Sequence, residues 1–302
     1  MKNKILLLIV VVLSVIAISG SKKETTYFNN AKKEEVKEEI KLALKDTLTG
    51  EIKNIELEDY IVGVVAGEMP ASFNEEALKA QAIASRTYAM YKMKNSNGTY
   101  DLVTDKTNQV YITEDKMKKI WQENFDYYFE KIKKAVYDTK DLIMTCNGNV
   151  ILSMYFARSN GKTEDAILVF GSNEEYLKSV ESPEESLTSE VTISKDEFCN
   201  KLNISCDAIN ISNVLKSSSG RINSLNINGK TFKGTEIRTL FDLKSTDFDI
   251  SIGSEIKFVT KGYGHGVGMS QYGANKLAQN GKNYEEILKH YYQNINIEKI
   301  SV

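Results

Sequence analysis

The hydrophobic positions fall into blocks of different period. Ile5 to Ile18 is a continuous apolar run with Ser14 as its only polar residue, preceded by Lys2 and Lys4. A basic flank before such a run reads as a membrane anchor or a signal-peptide core. Ala17 and Ser19 make only a weak cleavage site, so an uncleaved anchor over residues 1–21 is the favoured expectation, with cleavage and secretion as the alternative. Either way the rest of the chain faces away from the cytoplasm. Residues 22–39 are charged and poor in apolar side chains, as suits a stalk.

From residue 40 onward the pattern predicts one domain, 40–302. Ile40, Leu42 and Leu44 alternate, Asp46 to Gly50 can turn, and Ile52 and Ile55 resume, which predicts a hairpin. Leu57 to Ala66 is apolar and compact, a short helix stopped by Pro70. Ser72 with Glu75 as a capping box, or Asn74 directly, opens a second helix. Its Ala77, Ala80, Ala84 and Tyr88 share one face as far as Ser96-Asn97-Gly98. A third helix is predicted over Glu114 to Tyr137, then a hairpin of Leu142–Cys146 and Val150–Phe156 around a type I′ Asn147-Gly148 turn. Residues 170–260 read as short strands and loops, a β-rich middle segment, and Tyr272–Leu277 and Tyr284–Tyr291 as terminal helices. Helices and hairpins without a βαβ rhythm indicate an α+β fold, with helices and hairpins around one elongated domain carrying a substrate cleft.

Charge changes this picture little. Thirty-nine basic residues against 41 acidic ones give a net charge of -2, so nothing draws the chain to nucleic acid. Two histidines and three cysteines cannot fill several metal sites or build a disulfide framework, so no metal or other cofactor is expected. Cys199 and Cys206 read as buried or free thiols, a disulfide between them being the less favoured alternative. Catalysis, if present, falls to carboxylates, hydroxyls and amides.

Three segments could supply it. Glu68 ends the first helix in Val64-Val65-Ala66-Gly67-Glu68-Met69-Pro70, facing the negative end of the helix dipole among apolar neighbours. Both raise a carboxyl pKa and keep it protonated, as a general acid requires; the bland alternative is an exposed helix-terminal glutamate. Glu56, Glu58 and Asp59 favour the helix start and read as structural. In Lys261 to Ala274, KGYGHGVGMSQYGA, alternate glycines make a strip that another chain or a flat ligand can approach closely. It fits no dinucleotide or phosphate-loop pattern. His265 within it is either a structural donor or part of an exposed polar site. Tyr155 to Asp165, YFARSNGKTED, offers hydroxyls and donors suited to sugars, or simply closes a strand.

Together these segments resemble the stage II sporulation protein D family, which shares its domain with amidase-enhancer proteins of the bacterial wall. The resemblance is carried by EDYIVGVVAGEMPASFNEEALKAQAIASRTYA (Glu58 to Ala89), NQVY (Asn108 to Tyr111), SNGKTED (Ser159 to Asp165), RTLFDLKS (Arg238 to Ser245) and KGYGHGVGMSQYGA, over residues 40–300. It implies a membrane-anchored lytic transglycosylase that cleaves peptidoglycan glycan strands stripped of peptides and leaves 1,6-anhydro-muramic ends. It also implies work beside an amidase and other membrane partners of the engulfment machinery. The family's catalytic glutamate corresponds to Glu68. Arg86, Tyr88, Gln109, Tyr111, Ser159, Lys162, Thr163, His265 and Gln271 are expected to bind substrate through motif membership. Some relatives carry a His-Cys pair just before Gln-Val-Tyr; this chain has Thr107-Asn108, so a metal or redox feature is not expected. Asn160 stands where a small residue is common. Two further readings stay open: a non-catalytic wall-binding protein that stimulates an amidase, and a scaffold for membrane partners.

Overall fold

The computed structural model describes residues 39–300. The expected anchor and nearly all of the expected stalk lie outside them. The described residues begin with the hairpin β1 (Lys41–Lys45) and β2 (Ile52–Glu56), followed by α1 (Leu57–Glu68), α2 (Glu75–Lys94) and β3 (Leu102–Val103), which pairs parallel to β1. Next come α3 (Glu114–Trp121), α4 (Phe125–Asp138), β4 (Leu142–Cys146), β5 (Asn149–Val150), β6 (Tyr155–Phe156) and α5 (Ala166–Phe170). The middle of the chain holds β7 (Thr188–Ser194), α6 (Lys195–Leu202), β8 (Ile211–Lys216), β9 (Ile222–Ile227), β10 (Lys230–Lys233), α7 (Gly234–Leu240), β11 (Phe248–Ile252) and β12 (Glu255–Lys261). It closes with β13 (Met269–Ser270), α8 (Gln271–Gln279), α9 (Tyr284–Tyr291) and β14 (Asn296–Lys299). Helices and strands mix without a βαβ core, so the domain is α+β as expected.

Two hydrophobic cores form. The first gathers α1, α2, α4, α8, α9 and β4 around α2, whose Ala77, Leu78, Ala80, Ala82, Ile83, Ala84 and Ala89 are all inaccessible. Small side chains let α2 be covered on every side, not only along the face that its spacing suggested. Asn74, not Ser72, caps it: its side chain accepts the Glu76 N–H at 3.0 Å. The second core lies within residues 198–258, where Phe198, Phe241, Phe248 and Phe258 pack on one another between the sheets β10-β9-β8 and β11-β12-β7. Each buried phenylalanine contributes about 1.5–3 kcal/mol. The expected β-rich middle segment therefore has a core of its own, helped by two short helices.

Differences from the sequence reading have identifiable physical causes. The helix expected over Glu114–Tyr137 breaks at Gln122, where φ is 47°, into α3 and α4 joined by a 3-10 turn. That bend stacks Trp121 against Phe125. The Asn147-Gly148 turn has φ of 50° and 74°, the type I′ pattern, but the strand after it ends at Val150. Pairing resumes only at β6, whose partner is β13 from the far end of the chain. Cys199 and Cys206 form a disulfide with Cα atoms 5.7 Å apart, which overturns their reading as free thiols. The backbone turn between α6 and Ile204, where Asn203 is left-handed, brings the two together.

Candidate active site

The site is built where α1 ends. Gly63 and Gly67 lie one turn apart on the same face of α1. A Cβ on Gly67 would stand 2.4 Å from the Val110 carbonyl oxygen, and one on Gly63 would stand 2.2 Å from the Tyr111 ring. Their bareness lets the segment 108–112 lie directly on the helix, with the Ile112 N–H donating to the Gly63 carbonyl at 3.2 Å. The same contact delivers the Val110 N–H to Glu68 Oε1 at 2.6 Å. The glycine pair was a sequence signal for this close approach, and the motif reading passed over it.

Glu68 lines a cleft of about 380 Å³ with Tyr88, Lys106, Asn108, Ser153, Tyr155, Phe170 and His265 among its walls. It is the one carboxylate and Lys106 the one lysine or arginine among the lining residues. Burial raises the Glu68 pKa, against opposing hydrogen bonds from the Val110 N–H and the Gln271 and Tyr155 side chains. A second glutamate, Glu184, is buried and behaves in the reverse sense. Burial pushes it up as well, but Ser182, Ser270 and Ser159 donate to it and hold it below the usual carboxylate range. Chain position does not distinguish the two carboxyls; the balance between burial and the hydrogen bonds each one accepts does.

His265 stands in the cleft wall beside Phe156 and Phe170. Its Nδ1 accepts the Val267 N–H at 3.1 Å, and its Nε2 lies 3.0 Å from the Tyr155 carbonyl, which can only accept. The ring is therefore the neutral Nε2–H tautomer. Burial, then the positive charge of Arg238, and also that of Arg221, lower its pKa to about 4. Both nitrogens are occupied by main chain, so His265 shapes the wall and has no free nitrogen to serve as a base. The glycine strip around it also differs from expectation. Gly266 presses on the Arg221 guanidinium and Gly268 on the Met154 carbonyl, with φ of 88° and 76°. The close approach is made by the protein's own chain.

The other expected substrate-binding residues separate by place. Tyr88 is in the cleft, its hydroxyl 3.5 Å from Asn108 Nδ2. Gln109 and Gln271 are buried behind Glu68 rather than beside it in the cleft. Arg86 is fully buried and forks onto Glu58 at 2.8 and 2.6 Å, with further bonds to the carbonyls of Val136 and Leu142. Its guanidinium is spent on joining helices. Tyr111 stacks on Tyr60 and faces a second cavity of about 450 Å³, beyond the segment that covers α1. Ser159 and Thr163 are inaccessible: Ser159 Oγ accepts the Gly161 N–H, and Thr163 Oγ1 accepts the Val180 N–H. Lys162 pairs with Glu181 at 3.1 Å. The Ser-Asn-Gly segment is thus a seam between the two cores. Asn160 Nδ2 donates to Ser219 O and Asp247 Oδ2, and Glu164 accepts from Ser217 and Ser219. Sequence reasoning missed Tyr155, Lys106, Phe170 and Glu184. Of these only Tyr155 lay in a segment it had singled out.

Comparison with known proteins adds an independent line. A family model described as Stage II sporulation protein matches residues 45–146. Stage II sporulation protein D of Bacillus subtilis is 39% identical over 265 residues, covering 84% of this chain and 77% of that protein. Its counterpart in Bacillus amyloliquefaciens is 39% identical over 260 residues, 82% of this chain and 76% of that one. The Amidase enhancer of Bacillus subtilis is 30% identical over 294 residues, 76% of this chain but only 39% of that protein.

Proposed function

The chain belongs to the stage II sporulation protein D family, and we propose that it is a peptidoglycan lytic transglycosylase whose catalytic residue is Glu68. The observation that carries this reading is a cleft lined by a single carboxylate whose pKa burial holds up. A glycosidase that uses water needs two carboxyl groups flanking the bond. A lytic transglycosylase needs one, because the substrate's own C6 hydroxyl is the nucleophile.

The steps balance on that one group. Glu68 gives its proton to the glycosidic oxygen between N-acetylmuramic acid and N-acetylglucosamine, and the bond from that oxygen to the muramic C1 breaks. The C6 hydroxyl oxygen then bonds to C1, and its proton passes to the Glu68 carboxylate, which restores the acid. No water is consumed, and the product ends in 1,6-anhydro-muramic acid. Lys106 supports a peptide-free strand as substrate, since the lactyl group of muramic acid bears a free carboxylate only when the peptide is gone. Phe170, about half exposed, offers an apolar face for a sugar ring.

The sporulation relatives support a place in sporulation; the proposal sets the chain in engulfment, with residues 1–21 holding the domain outside the membrane and an amidase supplying stripped strands. The name Amidase enhancer, borne by a relative, favours one second reading: a wall-binding protein that stimulates an amidase without cleaving glycan. Peptide-free strands incubated with the full-length chain and analysed by mass spectrometry separate the two. Anhydro-ended fragments are expected, and Glu68→Gln is expected to abolish them, a loss of at least 100-fold. Fragments carrying added water would mean a hydrolase, and intact strands would remove the enzyme reading altogether.

A further inference from the structure

Behind Glu68 lies a hydrogen-bond network of neutral side chains, and its direction can be read bond by bond. The Tyr60 hydroxyl donates to Gln109 Oε1 at 3.1 Å. Gln109 Nε2 donates to the Ser85 carbonyl at 3.3 Å and to the Tyr155 hydroxyl oxygen at 2.9 Å. A carbonyl can only accept, so the Gln109 amide cannot be turned the other way. On the opposite side Gln271 Nε2 donates to Gln81 Oε1 at 3.3 Å, and Gln81 Nε2 donates to Ser85 Oγ at 3.0 Å. Tyr60, Gln81, Ser85 and Gln109 are all inaccessible to solvent.

The Gln109 amide therefore donates to the Tyr155 oxygen, which leaves the Tyr155 hydrogen for an acceptor on its other side, and the Glu68 carboxyl lines the same cleft wall. We infer that Tyr155 is a positioning residue for the reaction: the last donor of a one-way network that fixes the Glu68 carboxyl and stabilises it once its proton has gone to the leaving oxygen. This rests on the reading of Glu68 as the acid that becomes the base. Donors acting on a phenol oxygen polarise its O–H and strengthen the bond it makes onward. Burial keeps the Tyr155 phenol well above its usual pKa, so it stays a donor throughout and is no second acid. The other groups facing Glu68 do not replace it. Tyr60 and Tyr88 are phenols with raised pKa values, Gln271 is neutral, His265 is neutral with both nitrogens occupied, and Lys106 stands in the cleft wall.

The test uses the full-length chain, peptide-free strands, and two readouts. One is the pH dependence of anhydro-product formation; the other is the titration of the Glu68 carboxyl by carbon-13 NMR, assigned with Glu68→Gln. Tyr155→Phe is expected to lower kcat roughly tenfold or more with KM little changed, because a hydrogen bond to a charged group is lost. The alkaline limb and the Glu68 titration are expected to move upward together by about one pH unit. Site-specific incorporation of a fluorinated tyrosine at Tyr155, a stronger donor of nearly the same size, is expected to move both downward and guards against a phenylalanine variant that folds poorly. A wild-type chain that cleaves strands, with the limb and the titration fixed in both variants, overturns the role of Tyr155 alone. A wild-type chain that yields no anhydro ends overturns the reaction and this role with it.

Discussion

At the scale of single residues, chemistry here follows from the balance between burial and the hydrogen bonds folded around a group. Glu68 is partly buried in the cleft wall and Glu184 is buried, yet burial holds the first up while hydrogen bonds hold the second down. His265 shows the same rule for a base. Its neutral form is favoured in the fold, with a pKa of about 4 against an ordinary 6.5. The unfolded chain thus binds the extra proton between those values, so stability rises with pH across that window. The contribution is complete above about pH 6.5 and is lost as pH falls toward about 4, on the order of 3 kcal/mol. Glu68 acts with the opposite sign above its usual pKa, so the comparison must be made against the parent chain. Denaturant titrations at pH 4.5 and pH 7 should show a smaller difference for His265→Gln than for the parent, since an amide can donate to the Tyr155 carbonyl without titrating. An unchanged difference would mean that His265 is not the group responsible.

At the scale of elements, Arg86 is the clearest case. The motif suggested a substrate contact, whereas its guanidinium ties α2 to Glu58 on α1, to the C-terminal turn of α4 and to the first residue of β4. Removing one partner of a buried ion pair leaves the other charge uncompensated, at about 3–5 kcal/mol. Arg86→Met should lose that much in chemical denaturation, and the double variant with Glu58→Gln should recover most of it. A loss of activity in Arg86 variants would then track the folded fraction; a folded Arg86→Met chain that is inactive would return the residue to the cleft. Most elements were legible from hydrophobic period, including the first hairpin, α1, α2, α8 and α9. That period failed at Gln122 and after Val150, because a left-handed residue and a partner strand a hundred residues away leave no local periodic trace.

At the scale of the molecule, two cores meet along the Asn160, Glu164, Ser217, Ser219 and Asp247 seam. The second core is small, and the Cys199–Cys206 bridge closes a short loop at its edge. A loop of that length corresponds to about 2–3 kcal/mol of stabilisation in the chain-entropy account. Reduction, or Cys199→Ala with Cys206→Ala, should therefore increase amide hydrogen exchange in β7, β12 and α6 before it affects α2. Trp121, the only tryptophan, lies on α3 against the first core, so its fluorescence should report little of that loosening. Equal acceleration in α2 would show that the two cores do not loosen separately.

The α+β class, the order of most elements, the glutamate at the end of α1 and a family pattern reaching from Glu58 to Ala274 can all be read along the chain without the fold. These are legible because helical and strand periods, caps and contiguous motifs are local properties of the chain. Which motif residues face the cleft was decided by the tertiary structure alone. Gln109 turns inward to Tyr60, Ser85 and Tyr155, Gln271 turns to Gln81, Arg86 and Ser159 are absorbed into packing, and Tyr155 stands in the cleft wall with Glu68. Burial and hydrogen-bond direction are set by residues far apart in sequence, from Tyr60 to Gln271, and only their meeting in space gives each polar group its partner.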